Sequence, residues 1–176
     1  MTNIISVVGK TNSGKTTLIE KIIPELKKRG YTVGAIKHDV HHFEIDYEGK
    51  DTFRMTKAGA DMVVIASGEK MAMVKNISNL SLDKIAEWLF PDVDIVITEG
   101  YKKQNKPKIE VTRNGELICS KKDNLIAVVD NRPSTADNKP LIIDSNVPCF
   151  NIDNIKKIVD FIDGKIINKE NLVLER

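Results

Sequence analysis

The stretch that decides the fold is Asn3-Ile-Ile-Ser-Val-Val8-Gly9-Lys-Thr-Asn-Ser-Gly14-Lys15-Thr16. A β-branched, apolar run ends at Gly9, and a segment with apolar residues at helical spacing begins at Lys15. Between the two stand a Gly, four residues, a second Gly, a Lys and a Thr, which is the spacing of a phosphate-binding loop. The stretch therefore predicts such a loop at the junction of a strand and a helix.

The residue types in this loop match the chemistry of a triphosphate. Gly9 and Gly14 permit backbone conformations closed to other residues, so that successive N–H groups turn inward around an anion. Lys15 reaches the β- and γ-phosphates, and Thr16 directs its hydroxyl at Mg²⁺. We therefore expect a purine nucleoside triphosphate with Mg²⁺ to bind here, with Lys15 also catalytic. The predicted contacts are Gly9, Thr11, Asn12, Ser13, Gly14, Lys15, Thr16 and Thr17.

A second acidic element is expected beside the loop, to hold the metal or orient an attacking water. The run Asp94-Ile-Val-Ile-Thr-Glu99-Gly100 supplies it. Glu99 stands at the carboxyl end of an apolar strand, which is the edge where open α/β sheets bind ligands. We interpret Glu99 as a metal-binding and catalytic carboxylate; a plain surface carboxylate is the alternative.

A polar stretch follows the second predicted strand and contains all three histidines of the chain. Its position after a strand predicts a ligand-binding loop, with Asp39 near Mg²⁺ and with His38 and Asp46 as further ligand contacts. Arg54, in the helix that follows, is a candidate for holding a second anion, with a plain surface charge as the alternative. Solvated loop residues are one alternative. A transition-metal site is another, although the histidine spacing is not that of a zinc finger.

Short β-branched runs alternate with helical stretches along the chain, which predicts an α/β P-loop NTPase fold with a mainly parallel sheet flanked by helices. We expect one domain over residues 1–163 and a C-terminal tail over 164–176. An Asn114-Gly115 pair between two β-type runs predicts a projecting hairpin at about 107–120, with strands Lys108–Thr112 and Glu116–Ser120. Leu141–Ile143 is predicted to be a further short strand.

The composition narrows the class of protein. The 176 residues suffice for one buried core, and 27 Lys and Arg against 25 Asp and Glu are too balanced for a nucleic-acid-binding surface. The two cysteines, Cys119 and Cys149, form no disulfide framework or zinc motif. We predict neither a signal peptide nor a membrane span, and hence a cytoplasmic location.

Five elements occur in one order across residues 2–163, and together they resemble the MobB family of molybdopterin-guanine dinucleotide biosynthesis adaptor proteins. The phosphate loop alone is shared by a very large superfamily, whereas the other four are more specific. They are Lys37-His38-Asp39, Gly49-Lys50-Asp51-Thr52, Ala58-Gly59-Ala60-Asp61 and Thr98-Glu99-Gly100-Tyr101-Lys102.

The resemblance implies a GTP-binding accessory protein with weak GTPase activity that forms a homodimer through an extended sheet. It implies a partnership with the guanylyltransferase MobA, which attaches GMP to molybdopterin, and it makes molybdopterin a further candidate ligand. The chain lacks the Asn-Lys-x-Asp signature of regulatory GTPases. Asp130, after a predicted strand, is therefore a candidate acceptor for the guanine N1–H and amino group, with a plain turn residue as the alternative.

Three other functions stay open at this point. A small-molecule kinase or ligase resembling dethiobiotin synthetase predicts an acceptor pocket and substantial turnover with ATP. A metal-chaperone GTPase is favoured by the histidines, but the chain has neither a Cys-Pro-x-Cys motif nor a long histidine tract. A protein-binding module would bind no nucleotide.

Overall fold

The computed structural model describes residues 2–39, 43–78, 80–132, 144 and 146–168. These residues form two compact units. The larger unit comprises the residues up to His38 and from Leu82 onward, and the smaller unit comprises Asp39–Ser81. The helices are α1 Lys15–Lys28, α2 Asp51–Lys57, α3 Leu82–Leu89 and α4 Ile155–Ile162. The strands are β1 Asn3–Val8, β2 Val33–Lys37, β3 Met62–Ala66, β4 Met71–Lys75, β5 Ile95–Glu99, β6 Lys108–Thr112, β7 Leu125–Asp130 and β8 Cys149–Asn151.

The larger unit is built on a six-stranded sheet in the order β2-β5-β1-β6-β7-β8. Every pairing in this sheet is parallel, so the carboxyl ends of all six strands meet at one edge. The phosphate loop follows β1, which lies between β5 and β6. The mainly parallel sheet flanked by helices confirms the predicted α/β architecture.

The core is formed where the apolar faces of the helices pack against the sheet. α1 buries the residues that helical spacing places on one side, and α4 adds a second apolar face against the same side of the sheet. α3 packs on the opposite side through Leu82 and Ala86. The buried face of α1 consists of Leu18, Ile19, Ile22 and Leu26, and that of α4 consists of Ile158, Val159 and Ile162.

The smaller unit, Asp39–Ser81, contains α2 and a two-stranded antiparallel sheet. In this sheet β3 and β4 pair from Met62 opposite Lys75 to Ala66 opposite Met71. Val63 is buried, but several large apolar side chains of this unit are exposed. These are Phe43, Ile45, Tyr47, Met55, Met62, Val64, Ile65, Met71 and Ile77.

The structure corrects the hairpin predicted near 107–120. Residues 108–112 form a strand as predicted, but β6 runs parallel to both β1 and β7 and lies between them. Because neighbours occupy both of its edges, no edge is left for Glu116–Ser120 to pair as a second hairpin strand. The one antiparallel hairpin among the described residues is β3–β4.

A buried carboxylate explains why Glu116–Ser120 forms no strand. Glu110 is completely buried, and its side chain accepts hydrogen bonds from the backbone N–H groups of Ile118 (2.6 Å) and Cys119 (2.9 Å). Lys108, two residues earlier on the same face, donates from Nζ to the carbonyl oxygens of Gln104 (2.6 Å) and Asp123 (2.5 Å). The Glu110 side chain thus satisfies two backbone N–H groups of the segment that was predicted to be the second hairpin strand.

The division into one domain over 1–163 and a tail over 164–176 stays a prediction. A π-helical turn, Asp163–Ile167, extends beyond α4, and Ile166 in it is buried against the core. The predicted strand Leu141–Ile143 and residues 169–176 lie outside the described residues. Within the described ranges, no helix has the length and apolar character needed to cross a lipid bilayer.

Candidate functional site

The phosphate loop adopts the backbone conformation that its glycines were expected to allow. Gly9 has φ +143° and Gly14 has φ +106°, both values that side chains rarely permit. A Cβ atom at Gly9 would collide with the carbonyl oxygen of Val111. Gly9 is therefore required twice, by its torsion angle and by its contact with β6. The loop delivers the chain into α1 at Lys15, where the first N–H groups have no acceptor within the helix.

Two side chains of the loop lie where an anion would be bound. The Lys15 ammonium donates to the carbonyl oxygens of Lys10 (2.8 Å) and Gly9 (3.2 Å), so it is held across the loop. Ser13 is buried, and its hydroxyl oxygen has no hydrogen-bond partner among the described residues. A buried polar group without a partner is uncommon, and it fits a cradle whose remaining partner is a ligand.

Thr16 and Glu99 meet at the carboxyl edge of the sheet, as predicted. The Thr16 hydroxyl donates a 2.9 Å hydrogen bond to the Glu99 carboxylate, although the residues are 83 positions apart. The strand register explains the meeting, because Glu99 lies level with Val7 of β1 on one side and with Lys37 of β2 on the other. A hydroxyl and a carboxylate at this distance are the oxygen donors that Mg²⁺ prefers, so these residues fit the predicted metal.

Gly100 and Tyr101 hold the end of β5 in place. The N–H of Gly100 donates to the carbonyl of Val7, and the N–H of His38 donates to the carbonyl of Glu99, both at 2.9 Å. The His38 ring stacks on Tyr101 with ring centres 4.3 Å apart. A Cβ at Gly100, where φ is +98°, would crowd His38. His38 is thus placed by stacking beside Glu99, and its predicted ligand contact stays a prediction.

Asn131 supports the loop from the other side. Its side-chain amide donates a 2.8 Å hydrogen bond to the carbonyl of Ser13, and a Cβ at Gly14 would collide with that amide. Its own N–H donates to the carbonyl of Thr112 in β6. Asn131 therefore connects the end of β7 to the Ser13–Gly14 peptide.

The loop forms the floor of a cavity of about 1020 Å³. Its lining carries five cationic side chains and two carboxylates, an excess that suits a polyanionic ligand. Both Thr16 and Glu99 line it, as do residues from the ends of β7 and β8. The cationic residues are Lys15, Lys21, Lys37, Arg113 and Arg132, and the carboxylates are Glu99 and Asp153.

Asp130 makes an ion pair with Arg132. Its Oδ2 accepts from Nη2 of Arg132 at 2.8 Å, and its Oδ1 accepts from Nε at 3.0 Å and from the Arg132 backbone N–H at 2.9 Å. These contacts hold the pKa of the Asp130 carboxyl below its usual value, despite partial burial. Both carboxylate oxygens are therefore engaged by one arginine, which competes with the guanine contact predicted for Asp130.

Three predicted site residues belong to the smaller unit: Asp39, Asp46 and Arg54. There, Asp46 accepts a 3.0 Å hydrogen bond from the Thr52 hydroxyl, and the exposed Arg54 lies 3.5 Å from Asp51. Their predicted roles toward Mg²⁺, ligand and a second anion stay predictions. Among the described residues no cluster of three or more His, Cys, Asp or Glu side chains is suited to a metal ion. His41 and His42 lie outside those residues.

Residues of the predicted loop line one end of this cavity, but several lining residues elsewhere were not predicted. Asn131 directly follows β7 and Asn151 ends β8, but neither belongs to a motif, and the sequence does not state the order of these strands in the sheet. Lys37 and Arg113 also line the cavity. Only their position could have indicated these four residues, because each of them ends a strand of the parallel sheet or directly follows one.

Comparison with known proteins gives a consistent result. A family model described as "MobB: Molybdopterin guanine dinucleotide synthesis protein B" matches residues 4–131. The molybdopterin-guanine dinucleotide biosynthesis adapter protein of Haemophilus influenzae is 37% identical over 163 residues, covering 92% of this chain and 88% of the relative. The protein of the same name from Escherichia coli (strain K12) is 30% identical over 172 residues, covering 92% of each.

A solved structure is similar at the level of the fold. The crystal structure of a molybdopterin-guanine biosynthesis protein B (mobB) aligns with a TM-score of 0.70 and 33% sequence identity. The alignment covers 90% of this chain and 97% of that chain. Sequence and structure comparisons therefore lead to the same group of proteins.

Proposed function

This chain belongs to the family of molybdopterin guanine dinucleotide synthesis protein B, and on that premise we propose that it is a GTP-binding adapter in molybdopterin guanine dinucleotide synthesis. The observation that carries the proposal is the 2.9 Å hydrogen bond from Thr16 in the phosphate loop to Glu99 at the end of β5. It brings the two expected metal-binding oxygens together beside Lys15.

The residues divide the work of binding. The loop amides and Lys15 would hold the phosphates, while Thr16 and Glu99 would hold Mg²⁺, which would neutralise phosphate charge. Asn131 keeps the Ser13–Gly14 peptide in its turned conformation. Glu99 would also orient a water for slow hydrolysis. In line with the family premise, the protein is a weak GTPase at most and acts mainly as an adapter.

The partner that this function requires is the guanylyltransferase that attaches GMP to molybdopterin, a MobA-like enzyme. The adapter contacts that enzyme in the cytoplasm, and molybdopterin is a second candidate ligand. The name shared by the H. influenzae and E. coli relatives supports this pathway.

We also infer a homodimer. A lone two-stranded hairpin is marginally stable in water, yet β3–β4 exposes Val64 and Ile65 to 46% and 60%. Because both strands carry large apolar side chains in solvent, a second copy that covers them would bury a continuous apolar surface. The homodimer rests on this exposed hairpin and on the family premise.

The test is a calorimetric titration of the purified protein with GTP and then with ATP, each with Mg²⁺. We expect GTP to bind more tightly than ATP. Lys15→Ala should abolish triphosphate binding, because it removes the main charge beside the β- and γ-phosphates. Lys28→Ala, an exposed lysine in the last turn of the same helix, is the matched control and should bind normally.

Other results would redirect the assignment. A preference for ATP would favour a kinase or ligase resembling dethiobiotin synthetase. Heat of binding that survives Lys15→Ala would place the nucleotide elsewhere, and no binding of either nucleotide would leave a protein-binding module.

A further inference from the structure

We propose that Asp153, at the turn between β8 and α4, reads the nucleotide base and selects guanine. The proposal rests on the proposed function, since it assigns the base end of the same cavity. It places the guanine contact on a residue that no motif in the sequence marks.

The first step is the direction in which a bound nucleotide must lie. Thr16 and Glu99 would hold the metal ion that accompanies the terminal phosphates, and they lie on the β5 side of the loop. The γ-phosphate is therefore on that side, and the base is directed toward β7 and β8. β8 is three strand spacings from β1, about 14 Å, which leaves room for the ribose and base.

The second step is to ask which acceptors line the cavity at that end. Asp130 is engaged by Arg132 through both oxygens, as described above. Asp153 lines the cavity directly, together with Asn151 and Ile152. Its Oδ1 accepts a 2.8 Å hydrogen bond from Lys21 Nζ, and its side chain is 78% exposed. Among the described residues, Oδ2 is left to accept from a ligand.

The third step is that the turn carrying Asp153 is well defined. The N–H of Asp153 donates to the side-chain oxygen of Asn151 at 2.8 Å, and the N–H of Ile152 donates to the carbonyl of Asp130 at 3.0 Å. Ile152 is buried and offers an apolar surface near Gly14. A carboxylate on a braced turn beside an aliphatic side chain has the elements needed to bind a purine.

The chemistry of a carboxylate then distinguishes the purines. It is an acceptor only, and guanine presents two adjacent donors, N1–H and the amino group on C2. Adenine has an unprotonated N1 and no amino group on C2, so its lone pair would face a negative charge. The same carboxylate therefore attracts guanine and repels adenine.

The test compares dissociation constants for GTP, ATP and xanthosine triphosphate with Mg²⁺ in wild type and in Asp153→Asn. Xanthine keeps N1–H but has a carbonyl at C2, so an amide that both accepts and donates matches it better than a carboxylate. We expect Asp153→Asn to weaken GTP binding about tenfold or more and to improve xanthosine triphosphate binding. Asp160→Asn is the matched control, since Asp160 is an exposed aspartate that is also ion-paired, with Arg29.

The outcomes separate this proposal from the proposed function. If wild type binds GTP tightly and Asp153→Asn keeps the wild-type order of the three nucleotides, Asp153 does not read the base but the nucleotide-binding role stands. Equal loss for all three nucleotides would likewise overturn base reading and indicate a role in cavity shape. Absence of any nucleotide binding by wild type would overturn the function itself.

Discussion

Glu99 illustrates how one side chain serves a site through its neighbours on the sheet. It accepts from Thr16, shares its register with Val7 and Lys37, and its carbonyl accepts from the N–H of His38. The carboxylate is therefore held at a defined position beside the phosphate loop before any ligand arrives. Such preorganisation should matter more for hydrolysis of GTP than for its binding, because hydrolysis also requires a water molecule in a defined orientation.

We therefore expect Glu99→Gln to lower the rate of GTP hydrolysis about 100-fold while the Kd for GTP changes much less. The substitution keeps the size of the side chain and removes the charge that, in the proposed function, orients water. Single-turnover hydrolysis and calorimetry on the same samples measure the two effects. Glu20→Gln, on the exposed side of α1, is the control; equal turnover in wild type and Glu99→Gln would contradict the role.

At the scale of single residues, prediction from the sequence agrees with the structure where a backbone conformation is encoded locally. The positions of Gly9, Gly14 and Thr16 follow from spacing alone, and the torsion angles of the glycines agree with it. The role of Asn131 could not be predicted, because its partner Ser13 is 118 positions away. The order of the strands decides which residue after β7 or β8 reaches the loop. A single sequence does not state that order.

Among the elements, β6 and the segment that follows it depend on one buried group. Glu110 binds the N–H groups of Ile118 and Cys119, while Glu116 at the start of the same segment pairs with Lys10 in the phosphate loop. The segment 113–120 is thus attached to the core at one end and to the nucleotide site at the other.

Glu110→Ala should lower the free energy of unfolding by about 2–4 kcal/mol, because it removes a fully buried carboxylate and leaves two backbone N–H groups without their acceptor. Urea denaturation measures the loss. Glu116→Ala in the same segment removes only an exposed ion pair with Lys10 and should therefore lower the free energy of unfolding much less than Glu110→Ala does. Equal effects of the two substitutions would show that the buried carboxylate does not hold the segment.

The same residue predicts a pH dependence. Burial raises the pKa of the Glu110 carboxyl above its ordinary value, so the folded state binds this proton more tightly than the unfolded state does. The contribution of Glu110 to stability should therefore fall as pH rises from the ordinary glutamate pKa through the raised one. Denaturation midpoints across this interval should show that fall in wild type, and Glu110→Ala should lack it.

Prediction at this scale was right for the helix that begins at Lys15, for the apolar strand that ends at Glu99 and for the strand Lys108–Thr112, because the local pattern there is strong. It was wrong for the hairpin at 107–120. The Asn114-Gly115 pair predicts a turn, but it does not determine whether the segments on either side pair with each other. The local preference was outweighed by β1 and β7, which occupy both edges of β6.

For the whole molecule, the exposed hairpin β3–β4 sets the expected oligomeric state. Ile65→Lys should raise the dissociation constant of the homodimer about tenfold or more, because it places a charge in the apolar surface to be covered. Sedimentation analysis over a range of concentrations measures it. Ile118→Lys, an exposed isoleucine of the larger unit, is the control. A wild-type protein with the mass of one chain at every concentration would contradict the dimer.

The strand order also sets when the site can form during synthesis. β1 carries the phosphate loop but pairs with β5 and β6, whose residues lie about ninety or more positions later. While the ribosome is still making the middle of the chain, β1 has no strand to pair with. The contact between Gly9 of the loop and Val111 of β6 cannot form either. The phosphate loop is thus translated among the first residues, yet it acquires its neighbours in the folded sheet only after β6 has emerged from the ribosome.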